Sequence, residues 1–214
     1  MSWSSVTFLG DSTLLLPSAA LLFVAALFSS RRQVAWQWAL AFGVTGAIVC
    51  SSKLAFMGWG IGIRALDFTG FSGHTALSAC FWPVFLWLVC SRLLPRFRHL
   101  GAVLGYGVAA TVGISRLMIH VHSPAEVVAG FALGCTASAA FLLWQRRVSL
   151  ALLSGLGLAA ALVVPMVILT TGSKAPTQSL LENIAVQLSS KARPYIRDDL
   201  HNGRISLGVL RFNQ

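Results

Sequence analysis

Six apolar runs, each about the length needed to cross a bilayer, leave this chain few ways to fold. They fall at about residues 12–30, 34–52, 73–91, 100–116, 124–144 and 149–171. A spanning helix needs about 20 predominantly apolar residues, because hydrocarbon offers the backbone no partner and the helix must satisfy its own N–H and C=O groups. Only 10% of the residues are charged, against 56% hydrophobic; a soluble domain carries about 25% charged residues. The pattern predicts an all-α, integral-membrane six-helix bundle over residues 1–171, with a short basic extramembrane tail over 172–214.

The net charge is +10, and its distribution sets the orientation. Arg31, Arg32, Arg92, Arg96, Arg98, Arg146 and Arg147 fall in loops that alternate with the runs, as short cytoplasmic loops do under the positive-inside rule. The first basic pair follows its apolar run instead of preceding it, which predicts an uncleaved anchor with the N-terminus outside. Both termini and the tail then lie on the outer face, periplasmic in a bacterial inner membrane. Charge spread in this way excludes a nucleic-acid surface and leaves membrane lipids as the partners of the loop and tail cations.

Several residues are expected to serve packing. Cys50, Cys80, Cys90 and Cys135 lack metal-type spacing or a disulfide framework and are expected as small buried hydrophobes. Trp36, Trp38 and Trp144 fit an aromatic belt at the cytoplasmic interface. Gly101, Gly105, Gly107, Gly155 and Gly157 let helices approach closely. Residues 54–72 are expected as an outer re-entrant segment or loop, semi-apolar and glycine-rich. In the tail, Leu180, Leu181, Ile184 and Leu188 recur at helical spacing, so 177–190 reads as an amphipathic helix that lies on the membrane or caps the bundle. Asn202-Gly203 has the composition of a turn.

What remains collects on the outer side between residues 53 and 126: Lys53, Arg64, Ser72-Gly73-His74, Ser115-Arg116, His122 and Glu126. Charges beside hydrocarbon are costly and mark function by default. Three cations (Lys53, Arg64, Arg116) face two carboxylates (Asp67, Glu126), and such a surplus calls for an anion, most simply a phosphate. Ser72-Gly73 opens the third helix, where free N–H groups favour anions, and Arg116 brings a guanidinium fork that matches phosphate oxygens. His122 and Glu126 are four apart and share a helix face. A carboxylate bonded to one ring nitrogen leaves the other nucleophilic, and His74 is placed to protonate a leaving oxygen. The set suffices for phosphoryl transfer with neither metal nor cofactor.

Taken singly, each residue also has a structural role available. Ser123-Pro124-Ala125-Glu126 is a capping box. Lys53 is placed as a snorkelling anchor, Asp67 as a local partner of Arg64, His120 as an interfacial polar residue and His74 as a structural histidine. The combination is what points to chemistry.

Ser72-Gly73-His74, followed by Ser115-Arg116, His122 and Glu126-Val127-Val128-Ala129-Gly130, resembles the second and third signatures of the type 2 phosphatidic acid phosphatase superfamily. The resemblance implies His122 as a nucleophile forming a phosphohistidine, with Glu126 orienting it. His74 would be the acid for the leaving group and then the base for water, and Ser72, Gly73 and Arg116 would hold the phosphoryl oxygens. The sequence departs from the pattern in three places. Glu126 stands where the family has Asp. The first signature, Lys followed after six residues by Arg-Pro, has Gly60 at the arginine position after Lys53, and Arg64 comes late, before Ala65. Phe71 replaces a proline. Lys53 carries over, and Arg64 is a candidate for the displaced arginine.

The sequence therefore predicts a lipid phosphatase acting on a phosphomonoester or pyrophosphate headgroup, with a phosphorylated membrane lipid as substrate. Two alternatives stand beside it: a lipid phosphotransferase, and a non-catalytic phospholipid-binding or transport protein built on a decayed site.

Overall fold

The structure, a computed structural model, describes residues 3–29, 32–145, 155–170 and 177–202. Among them the chain forms helices α1 (Trp3–Thr7), α2 (Ser12–Leu27), α3 (Gln33–Trp59), α4 (Gly73–Leu93), α5 (Arg98–Met118), α6 (Pro124–Gln145), α7 (Gly155–Thr170), α8 (Thr177–Ser189) and α9 (Arg197–His201). Five segments are long and apolar enough to span a membrane: Trp3–Leu27, Gln33–Trp59, Gly73–Leu93, Pro95–Met118 and Pro124–Gln145. The shorter apolar α7 answers to the sixth run and packs on α2. The expected all-α membrane bundle is what forms, and the protein is a multi-pass integral membrane protein.

Helix boundaries differ from the apolar runs at two places. Residues 3–10 are already helical, as α1 and a 3-10 turn, and Asp11 then caps α2 by accepting the Thr13 N–H at 2.8 Å. Helix α3 runs on past Lys53 to Trp59, seven residues beyond the apolar run, because Leu54-Ala55-Phe56-Met57 are good helix formers. It stops at Gly60, whose left-handed φ of 72° lets its own N–H reach the Phe56 carbonyl at 2.7 Å. The loop between α3 and α4 is correspondingly short.

Helix α4 is the centre of the bundle. Ala76, Ala79, Cys80, Phe81 and Val84 are fully buried on it, between α5 and α6. Glycines set this closeness. A Cβ on Gly105 would lie 2.4 Å from Pro83 Cα, one on Gly101 2.6 Å from the Leu86 carbonyl, and one on Gly134 2.2 Å from the Ala76 carbonyl. Gly107 meets nothing within 4 Å, so the packing role expected for it does not hold. Trp38 also departs from expectation: it is 2% exposed, stacks among Phe42, Phe81 and Phe141, and donates its indole N–H to the Ala19 carbonyl at 3.0 Å. Trp36 and Trp144 stay outward, as a belt requires. All four cysteines are free; Cys80 is buried, whereas Cys50 is exposed rather than buried as expected.

The tail folds back over the end of the bundle where α3 stops. Helix α8 packs on α3, where Ala185 and Leu200 join Phe56 and Met57 in a second small core. The Tyr195 N–H donates to the Met57 carbonyl at 2.8 Å. Of the two placements open to the amphipathic helix, capping the bundle is the one adopted. Asn202 is in a turn, while Gly203, like Arg31, Arg146 and Arg147, lies outside the described residues.

Candidate active site

Helices α3, α4 and α5 and the segment that leads into α6 meet at one end of the bundle around a cavity of about 570 Å³, a size suited to a small ligand. Its construction starts from a local signal. Ser123 caps α6 with Pro124 in the first helical position: the Glu126 N–H donates to Ser123 Oγ at 3.3 Å and the Ser123 N–H to Glu126 Oε2 at 3.2 Å. The same Oε2 accepts His122 Nδ1 at 2.7 Å. Capping and orienting, two roles that competed for Glu126 in the sequence, are thus performed together. With Nδ1–H committed to the carboxylate, the lone pair of His122 is on Nε2, and His122 lines the cavity.

Glu126 is fully buried and organises the loop between α3 and α4 as well. Its Oε1 accepts the Thr69 N–H at 2.8 Å and the Thr69 hydroxyl at 2.6 Å, and its carbonyl accepts the Ser72 N–H at 3.1 Å. A Cβ on Gly130, one turn further along α6, would come within 2.8 Å of the Ser72 carbonyl. On the other side the Phe71 N–H donates to Ser52 Oγ of α3 at 3.1 Å. A proline there, as the family pattern has it, could not donate, so this departure is used by the structure. Loop 69–72 is pinned between α3 and α6, and that fixes where Gly73 and His74 begin α4.

The remaining residues expected at the site divide. Lys53, Gly73, His74 and Arg116 line the cavity with His122. Arg116 Nη1 donates to Thr7 Oγ1 at 2.9 Å, while its buried Nε has no partner among the described residues, an N–H available to an incoming oxyanion. Lys53 Nζ is 3.5 Å from Gln178 Oε1 of α8. Ser72 is buried, and its hydroxyl bonds Thr75 Oγ1 at 2.9 Å instead of capping α4 or facing the cavity. Arg64 is exposed in a 3-10 turn, Arg64–Leu66, outside the cavity lining. Asp67 does not pair with it but with Arg197 and with His201 Nε2, the latter at 2.7 Å.

Two residues escaped the sequence expectations. Asp11 Oδ2 lies 3.8 Å from His74 Nε2. Arg197, in the tail, lines the cavity and donates from Nη2 to Glu126 Oε2 at 2.7 Å and from Nη1 to Asp67. A weak signal for Arg197 did exist: the first-signature arginine is displaced, which leaves that position open to a cation from elsewhere in the chain. Burial pushes the His122 imidazole below its ordinary value despite the bond to Glu126. Burial also works against the charge of Arg197, but its bonds to Glu126 and Asp67 outweigh that and hold its pKa above the usual range.

A helical membrane bundle that carries a carboxylate-oriented histidine, a second histidine and a half-satisfied arginine around one cavity defines the class. Residues 58–150 match the family model of the PAP2 superfamily. An uncharacterized 22.5 kDa protein in the cps region of Klebsiella pneumoniae is 54% identical over 205 residues, covering 94% of this chain and 98% of that protein. Phosphatidylglycerophosphatase B of Bacillus subtilis (strain 168) is 34% identical over 65 residues, 29% of this chain and 32% of that protein. The crystal structure of the transmembrane PAP2-type phosphatidylglycerolphosphate phosphatase from Bacillus subtilis superposes with a TM-score of 0.55 at 24% identity, covering 68% of this chain and 76% of that one. The PAP2 match thus covers residues 58–150 of the chain, and the superposition shows that the helical fold is shared.

Proposed function

We propose that this protein is an integral-membrane lipid phosphatase that hydrolyses a phosphomonoester or pyrophosphate headgroup through a phosphohistidine, without a metal. The observation that carries the proposal is the 2.7 Å bond from His122 Nδ1 to a fully buried Glu126, which leaves Nε2 as the nucleophile in a cavity lined by Arg116 and Lys53. Nε2 attacks phosphorus and the bond to the leaving oxygen breaks, with a proton passing from His74 to that oxygen. Water, losing a proton to His74, then cleaves the P–N bond, releases inorganic phosphate and restores both histidines. Arg116 Nε and Nη and the Gly73 N–H bear the charge on the phosphoryl oxygens through both steps. Lys53 adds a point charge.

The cavity continues from these cations to Leu16, Val49, Phe56, Leu77 and Val121, an apolar side suited to the chain of a lipid such as phosphatidic acid, phosphatidylglycerophosphate or a polyprenyl pyrophosphate. The name of the Bacillus subtilis phosphatidylglycerophosphatase B is consistent with that class. The arrangement of basic loops supports an active site and a 172–214 tail on the periplasmic face of a bacterial inner membrane, with residues 1–171 as the membrane domain.

The test is phosphate release by purified protein in detergent over a lipid panel, with and without chelator, in wild type, His122→Ala and His74→Ala. Turnover that survives chelator and disappears in both variants is the expected result. Retention of a bound phosphate headgroup with no turnover on any lipid would mean a binding protein on a decayed site, and transfer of the phosphoryl group to a second lipid would mean a phosphotransferase.

A further inference from the structure

Arg197 lies well outside the segment that matches the family, residues 58–150, yet it touches the residue on which the site turns. Its Nη2 is 2.7 Å from Glu126 Oε2, the oxygen that also accepts His122 Nδ1 and the Ser123 N–H. Its Nη1 holds Asp67 by both the carboxylate and the main-chain carbonyl, the latter at 2.9 Å. Among the described residues it is the one Lys or Arg within ion-pair distance of Glu126. A buried carboxylate without a countercharge is costly, and removing one partner exposes that cost.

The tail is built to deliver this side chain. Arg193 grips Asp199 through both terminal nitrogens at 2.8 and 2.9 Å, Asp199 Oδ2 accepts the Ile196 N–H at 3.1 Å, and Leu200 is buried against Phe56 and Met57. The Tyr195 N–H bond to Met57 ties the approach to α3 just before Arg197. The backbone on either side of Arg197 is therefore fixed to the bundle.

We propose that Arg197 is a positioning residue for the hydrolysis: reaching back from the tail, it holds Glu126 Oε2 against His122 and supplies the fixed cation that the interrupted first signature lacks. The inference rests on the phosphatase function proposed above. Both terminal nitrogens of Arg197 are occupied by carboxylates, so it acts through Glu126 and not as a primary phosphate ligand. It also offsets the negative charge that His122 meets. The charged and titratable groups acting on His122 are Lys53 on α3, His74 on α4, Arg116 on α5 and Glu126 on α6, and behind Glu126 stand Arg197 and its second partner Asp67. Removing one cation from this set, with both acids retained, makes the imidazole hold its proton to higher pH.

The experiment compares full-length wild type, Arg197→Gln, Arg197→Lys and, as a charge control at the opposite end of the bundle, Arg96→Gln, in detergent on the lipid panel. Arg197→Gln is expected to lower kcat by about 10- to 100-fold, the effect of losing one charge-assisted bond to a buried carboxylate. KM should stay within about twofold, and the acid limb of the pH–rate profile should move to higher pH. Arg197→Lys, able to satisfy one acid but not both in the same geometry, recovers part of kcat; it also carries the test if Arg197→Gln does not fold. Unchanged kcat with an unmoved acid limb overturns the proposal, as does a raised KM at unchanged kcat, which would make Arg197 a substrate ligand. Should wild type turn over no lipid, the phosphatase function itself fails. The imidazole titration of His122 by NMR, assigned with His122→Gln among the five histidines, then decides the positioning claim alone: an upward move in Arg197→Gln supports it and a constant titration overturns it.

Discussion

Restoring the family's residue at position 126 should damage this protein. Glu126 uses its full length: Oε1 reaches Thr69 at 2.6 and 2.8 Å, and Oε2 reaches His122 and Arg197, each at 2.7 Å. Glu126→Asp withdraws the carboxylate by about one C–C bond, roughly 1.5 Å. The main chain cannot follow, because the Glu126 N–H and carbonyl are tied to Ser123 and Ser72 and Gly130 already packs against the Ser72 carbonyl. At least one charge-assisted bond is lost, at about 1.5–3 kcal/mol. Loss on the Oε2 side frees the His122 ring and lowers kcat by roughly one to two orders of magnitude. Loss on the Oε1 side releases Thr69 and appears as instability, a fall in Tm of about 3–10 °C for a chain of this size. Measuring kcat and thermal unfolding on the same detergent preparations separates the two. Glu126→Asp matching wild type in both would refute the reasoning.

Gly134→Ala should destabilise the bundle by about 1–3 kcal/mol through overpacking against the Ala76 carbonyl, whereas Gly107→Ala, with open space around it, should gain about 0.5–1 kcal/mol; thermal unfolding of the two variants checks the contrast. Phe71→Pro, another return to the family pattern, removes the N–H bond to Ser52 and the edge-to-face contact with Phe68. It should cost about 1–3 kcal/mol of stability, read by the same assay. Because burial lowers the pKa of His122 from its ordinary 6.5, the nucleophile is neutral at pH 6.5 and above and becomes protonated as pH falls through that lowered value. The acid limb of kcat/KM should therefore lie below pH 6.5, and a limb above it would contradict the burial argument.

What the sequence disclosed about this molecule was local or periodic. The apolar runs placed the spans because hydropathy needs no knowledge of neighbours, and the capping box placed His122 beside Glu126 because both lie within one helical turn. The end of α3 was misplaced because a single lysine looks like an interface, although Lys53 sits mid-helix facing the cavity. Trp38 was assigned to a belt from its residue type, while its partners, the Ala19 carbonyl and Phe141, belong to other helices. Arg197 and Asp11 were missed for the same reason. They are 71 and 63 residues from Glu126 and His74 in sequence, and only the folded tail and the broken first helix bring them there.

The most direct test of the account is whether phosphate becomes attached to His122 during turnover. Wild-type protein mixed with lipid substrate, quenched in alkali on the millisecond to second scale and digested for mass spectrometry, should carry a phosphoryl group on His122. The adduct should decay as phosphate is released and be absent from His122→Ala. Turnover without any such adduct, or turnover that persists in His122→Ala, would contradict the account at its centre.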